Sequence, residues 1–246
     1  DRYMKIFKKP EARMMMGAFN NMESIHQHAY SLLLDTVGMP EVEYKAFADY
    51  EAMADKHEYI DAIKVSKGDK RSIAKALAVY SGFTEGLQLF SSFIILLNFP
   101  RFGKMKGMGQ IITYSIRDES LHVEAMTKLF REFIQENIDI WDDEFKAEIY
   151  QACREMVTLE DRFLELVFEE GDIEGLTQAE MQEYIRYIAD RRLLQLGLKP
   201  NYDIKNNPLN WLDDVLGVEH QNFFEGRATT YMKAGMRGDV NKVSFV

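Results

Sequence analysis

Glu23 and His26 stand three residues apart in the stretch NNMESIHQHAYSLLLD, and Glu119 and His122 repeat that Glu-x-x-His spacing in SIRDESLHVEAM. Residues three apart on an α-helix project from the same face, so each pair can offer a carboxylate and an imidazole to one ion. Tyr30 falls one turn beyond His26 on the same strip, whereas the second copy has Met126 at the matching place. A lone Glu-x-x-His is most often a surface ion pair or a satisfied histidine. Two copies with apolar flanks (Met22, Ile25 and Ala29; Ile116, Leu121 and Ala125) instead describe two halves of one site facing a core. Bundles that hold two metal ions are built this way: two helices each give Glu-x-x-His and two others each give a single carboxylate.

Glu85, in YSGFTEGLQLFSSF, is the candidate for one of those single carboxylates. It lies in the most apolar stretch of the chain, where an unpaired carboxylate costs several kcal/mol or takes up a proton. Taken by itself, an arginine partner or a protonated carboxyl explains it equally well; beside two Glu-x-x-His motifs, a metal ion explains it better. Oxygen and nitrogen ligands without a thiolate favour iron or manganese over structural zinc, with iron first.

These residues need long helices to carry them. Pro10 and Glu11 suit a first helical turn, and apolar residues recurring from Met14 through Leu34 predict a helix to about Thr36, ended by Gly38 and Pro40. A second helix is predicted from Glu41 to about Val65, with Tyr44, Phe47, Tyr50 and Met53 on one face, broken by SKGDK. The third, Lys70 to Asn98, is almost uniformly apolar after Tyr80 and therefore buried on all sides. After FPRFGKMKGMG, a fourth spans Gln110 to about Asn137, and three more are expected near 142–169, 177–196 and 208–235. No stretch alternates with period two between turn signals, so the class is all-α. With no shift of composition along the chain, residues 1–246 read as one domain.

The bulk numbers fit. With 46% hydrophobic and 28% charged residues the chain is an ordinary globular protein. A formal charge of −10 disfavours binding to nucleic acid or to anionic lipid. The single cysteine, Cys153, excludes an internal disulfide and fits a reducing compartment, with the cytoplasm as the default. The longest apolar run, LFSSFIILLNF, falls short of the roughly 20 residues that span a bilayer, so no membrane association is expected. DRYMKIFKKPEA has no apolar segment of signal-peptide type, and the absence of an initial Met gives the expectation that the sequence starts inside a longer one.

Through NMESIHQHAY, MADKHEY, GFTEGLQLFSSF, NFPRFGKMKGMGQ, SIRDESLH and NFFEGRAT, essentially the whole chain resembles the radical-generating small subunit of class I ribonucleotide reductase. The resemblance implies a ferritin-like helical bundle with a dimetal site in its core and additional C-terminal helices. It implies two iron ions, with Mn/Fe or two manganese ions as alternatives, held by Glu23, His26, Glu85, Glu119 and His122. It also implies that Tyr30 is the radical tyrosine and that Asp118 orients a metal-bound histidine and links the centre to the radical-transfer route. Read by itself, Asp118 is equally a partner of Arg117. Leu89 and Phe93 fall where the family shields its radical, and they are equally good as packing residues. The activity implied is O2-dependent generation of a tyrosyl radical that passes to a large nucleotide-binding subunit, where ribonucleotides are reduced, with the small subunit acting as a homodimer.

The pattern also departs from the family. A further family carboxylate belongs on an earlier helix, before Asp1, and neither Asp1 nor Glu11 has its spacing. The family's N-terminal tryptophan is missing for the same reason, since Trp141 and Trp211 are not at its position, and no subunit-binding tail is recognisable in DVNKVSFV. His28, His57 and His220 read as packing or surface residues, the 14 methionines as core filler and Cys153 as a buried thiol. Two other readings remain: a ferritin-like oxidase or hydroxylase that needs no radical tyrosine, and an iron-storage or structural bundle.

Overall fold

A computed structural model of the chain describes residues 2–38, 45, 49–66, 68–213 and 215. The described residues up to Leu209 form one compact unit, and those beyond it cluster separately. The elements are α1 (Arg2–Ile6), α2 (Pro10–Val37), α3 (Glu51–Ala62), α4 (Lys70–Leu77), a π-helical segment (Ala78–Gln88), α5 (Leu89–Arg101), α6 (Lys106–Glu136), a 3-10 turn (Ile138–Ile140), α7 (Asp143–Val167) and α8 (Gln178–Gln195). Among the described residues there is no strand, only an isolated bridge between Ile173 and Leu176. The all-α expectation holds.

Helix ends follow local chemistry. α2 begins with Pro at its first turn and stops at Gly38, whose φ of 72° lets its N–H cap the Leu34 carbonyl in a left-handed conformation that suits glycine. α4 starts at Asp69, whose carboxylate accepts from the N–H groups of Arg71 and Ser72. α8 opens with a capping box between Thr177 and Glu180.

The helix expected over Lys70–Asn98 is a continuous rod, but its middle is not α-helical. The Ala78–Gln88 segment winds as a π-helix, a form that the sequence reading did not anticipate. The rod is the one described stretch long and apolar enough to cross a membrane, and two-thirds of its most apolar window is buried inside the protein, as expected of a core helix. The short α1 was not expected either. Within the predicted second helix the structure shows α3 over Glu51–Ala62, ending before Val65, while Tyr44 and Phe47 lie outside the described residues. The same is true of most of 208–235, with NFFEGRAT and His220.

The core sits between the rod, α6, α7 and α8, where Leu77, Phe83, Leu87, Ile94, Ile112, Phe130, Phe145, Ile149, Met156, Leu164 and Met181 are fully buried. α6 packs along the π segment and α5, and α2 packs on α6, which sets the two Glu-x-x-His helices beside each other and beside the rod. Several polar groups in this core are paired across elements. Lys56 of the MADKHEY stretch reaches Glu160 of α7 at 2.8 Å, and the buried Ser91 hydroxyl donates to the same carboxylate. Asp190 accepts from the backbone N–H groups of Asn201, Tyr202 and Ile204 and so fixes the chain after α8.

Candidate metal centre

Three chain segments converge on one point. α2 carries Glu23, His26 and Tyr30; α6 carries Asp118, Glu119 and His122; the π segment carries Glu85. His122 Nδ1 lies 3.2 Å from Glu23 Oε1 and 3.3 Å from Glu119 Oε2. His26 Nδ1 lies 3.2 Å from Glu119 Oε1 and 3.7 Å from Glu23 Oε2. Each carboxylate thus turns one oxygen to each imidazole.

Candidate ligand atoms of Glu23, Glu119 and His122 all fall within 4.8 Å of one another, a spacing that one ion can span. Glu85 stands outside this tightest group. It faces a cavity of about 170 Å³ that it lines together with Glu23, His122, Met16, Phe19 and Met126. Every ligand expected from the sequence therefore reaches one neighbourhood, though not at one distance.

The electrostatics describe a donor set waiting for positive charge. Burial, then the negative charge of Glu119 and of Glu23 against some relief from His122, pushes the Glu85 carboxyl up to about 8. Burial opposes the charged form of His122, but its hydrogen bonds to Glu119 and Glu23 outweigh this and raise the imidazole to about 10. The His122 contact holds the Glu23 carboxyl below its ordinary value, against burial. Glu119 is 2% exposed, and its buried Oε2 is met by the His122 Nδ1 at 3.3 Å without a well-aligned hydrogen bond, which leaves a buried carboxylate under-compensated. Hard oxygens and imidazole nitrogens around this buried carboxylate fit iron or manganese ions.

The surroundings position these groups. Asp118 Oδ2 lies 3.3 Å from His26 Nε2, the ring nitrogen pointing away from the carboxylates, while its Oδ1 accepts from Arg117 Nε and Nη2 at 3.2 and 3.1 Å. Asp118 thus contacts Arg117 and His26 at once. Tyr30 donates to Ser115 Oγ at 2.9 Å, and burial raises its phenol above the ordinary value despite that bond. Phe93 is buried, whereas Leu89 is 36% exposed. His28 is exposed, and His57 sits at the surface beside Asp61. Burial drives the Cys153 thiol up to about 12, so it is inert, as expected.

Sequence reasoning missed the neighbours of His122. The Met22 Sδ lies 3.4 Å from its Nε2 and the Phe19 ring 4.2 Å from its ring. Met22 was legible only as an apolar flank of Glu23. Ser115 was missed as well, because nothing in its type marks it as the partner of a tyrosine 85 residues away.

Residues 1–208 match the family described as ribonucleotide reductase, small chain. The chain is 42% identical to the "Probable ribonucleoside-diphosphate reductase small subunit 376L" of Invertebrate iridescent virus 6, over 98% of this chain and 78% of that protein. It is 30% identical to the ribonucleoside-diphosphate reductase subunit beta of Chlamydia pneumoniae, over 94% of this chain and 71% of that one. Among solved structures, the ribonucleotide reductase R2 subunit from Clostridium botulinum superposes with a TM-score of 0.77 at 27% identity, covering 83% of this chain and 66% of that one. With its paired Glu-x-x-His helices set against a buried carboxylate, this ferritin-like bundle belongs to the ribonucleotide reductase small-chain family.

Proposed function

We propose that Glu23, His26, Glu85, Glu119 and His122 hold two metal ions, iron by preference with Mn/Fe or two manganese ions as alternatives, and that Tyr30 is the residue oxidised beside them. The observation that carries this reading is the crossed set of Nδ1 to carboxylate contacts between α2 and α6, with Tyr30 one turn beyond His26. When bound, the ions supply the O2-dependent oxidising power. The chain's residues do the rest. Asp118 keeps the His26 Nε2 proton engaged, so Nδ1 is left free for a metal ion. Glu119 and Glu23 place one oxygen toward each half of the site. The Tyr30 phenol, half-buried, keeps its proton at rest and gives it to Ser115 Oγ in a hydrogen bond, while the Ser115 hydroxyl is itself committed to the Ile111 carbonyl. Phe93 helps to exclude water that would quench a phenoxyl radical.

The stored radical then passes to a large nucleotide-binding subunit, where ribonucleotides become deoxyribonucleotides, and Asp118 begins that route. The small subunit works as a homodimer and a single ferritin-like domain in the cytoplasm. A charge of −10 supports a role without nucleic acid, and the burial of the apolar rod supports one without membrane contact. An oxidase or hydroxylase acting on a bound substrate would share the ligands but would not need Tyr30. The test is electron paramagnetic resonance after adding ferrous iron and then O2: a sharp tyrosyl signal is expected in the parent and none in Tyr30→Phe at equal metal content. A parent that binds two ions and gives no such signal would sink the radical role.

A further inference from the structure

The guanidinium of Arg192 is buried beside the π segment, and among the described residues no carboxylate pairs with it. It lies in the last turn of α8 and is 8% exposed. Its Nε donates to the Gly86 carbonyl at 2.7 Å, its Nη1 donates to Gln195 Oε1 at 2.9 Å, and its plane lies 5.0 Å from the Phe90 ring centroid. Burying a charge against a backbone carbonyl, an amide and a ring sacrifices hydration that a neutral side chain would not lose. The fold makes room for it. A Cβ on Gly86 would stand 2.6 Å from Arg192 Nε and 3.1 Å from the Ser81 carbonyl, so only glycine admits the contact.

Gly86 directly follows Glu85 in the last turn of the π-helical winding. Relaxing a π turn to α removes one residue from the turn and rotates the side chains on either side by about 100° relative to each other. A carboxylate that must face a metal cavity is sensitive to that rotation. We infer that Arg192 is a positioning residue for Glu85: by clamping the Gly86 carbonyl it holds the π turn in the register that sends the Glu85 carboxylate toward Glu23 and His122. The inference rests on the reading of Glu85 as a metal ligand.

The experiment titrates Mn2+ alone into the metal-free full chain and reads the free ion by electron paramagnetic resonance. It compares the parent with Arg192→Met, Glu85→Gln and the double variant, and records each Tm. Arg192→Met is expected to weaken Mn2+ binding about tenfold. In the Glu85→Gln background, already weakened, it should cost nothing further, because the residue acts only through Glu85. Gly86→Ala displaces the same contact without removing the charge and should reproduce the loss, which decides the matter if Arg192→Met does not fold. Equal weakening in both backgrounds, or parental affinity in both Arg192→Met and Gly86→Ala, overturns the inference and leaves Glu85 a ligand. Parental affinity in Glu85→Gln overturns the ligand reading and the inference with it.

Discussion

Tyr30 has a hydrogen-bond partner whose loss can be read spectroscopically. Its hydroxyl donates to Ser115 Oγ at 2.9 Å; once oxidation removes the phenol proton, the Ser115 hydroxyl can turn from the Ile111 carbonyl and donate back to the phenoxyl oxygen, which then carries less spin. Ser115→Ala should therefore raise the gx value of the tyrosyl signal in high-field resonance and shorten its lifetime; an unchanged gx would mean that the bond does not persist after oxidation. Titration offers a second handle. The Glu85 carboxyl is raised from 4.5 to about 8 and the His122 imidazole from 6.5 to about 10, so the folded metal-free protein holds more protons than the unfolded chain between these limits. Its stability must then fall as pH rises: the His122 contribution is complete below 6.5 and lost through about 10, while the cost of ionising Glu85 grows from 4.5 to about 8. Metal binding needs both groups deprotonated and tightens over the same window. Calorimetry should show the Tm of the metal-free protein dropping from about pH 6 to 9 and that of the Mn2+-saturated protein holding or rising. The ligands were legible because a three-residue spacing is a local property of one helix, whereas Ser115 and Arg192 act across long separations that no local pattern encodes.

At the scale of elements, the rod shows where pattern runs out. Between Tyr80 and Asn98 one charged residue, Glu85, stands among apolar residues and uncharged polar ones such as Ser81, Thr84 and Ser91, so the hydrophobic pattern has no clear phase, and a π winding cannot be told from an α one by periodicity. Helices with a polar face behaved differently: α2 was expected from Pro10 to about Thr36 and runs Pro10–Val37, because its proline and glycine act locally. MADKHEY was legible as a family stretch without a physical role. That role is tertiary, since Lys56 packs 4.2 Å over the Phe163 ring and ties α3 to the fully buried Glu160 of α7. Lys56→Met should strand that carboxylate and cost about 3 kcal/mol, the lower end of the range for breaking a buried pair because Lys56 keeps some exposure. Urea unfolding checks this, and adding Glu160→Leu should recover part of the loss; full additivity of the two changes would show that the pair does not act as a unit.

At the scale of the molecule, α2 buries one face against α6 and leaves the other uncovered in a single chain. Met14, Ala18, Asn21, Ile25, His28 and Leu32 repeat at alternating spacings of four and three, the spacing of a helix–helix seam, and all six are exposed. Met14 is 75%, Ile25 59% and Leu32 52% exposed, with Leu121 of α6 at 48%. The helix is about 42 Å long, enough for two copies to lie side by side over much of the area that a stable dimer buries. The seam also runs along the reverse side of the helix that carries Glu23, His26 and Tyr30, so pairing would stiffen the element that holds half the metal ligands. Ile25→Glu combined with Leu32→Glu places charges in that seam and should halve the mass measured by light scattering while leaving the helical circular dichroism unchanged. The resulting monomer should also bind Mn2+ more weakly than the parent, because α2 loses its support. A double variant that stays dimeric would place the pairing surface elsewhere, and a monomer with parental metal affinity would show that α6 and the rod hold α2 without help.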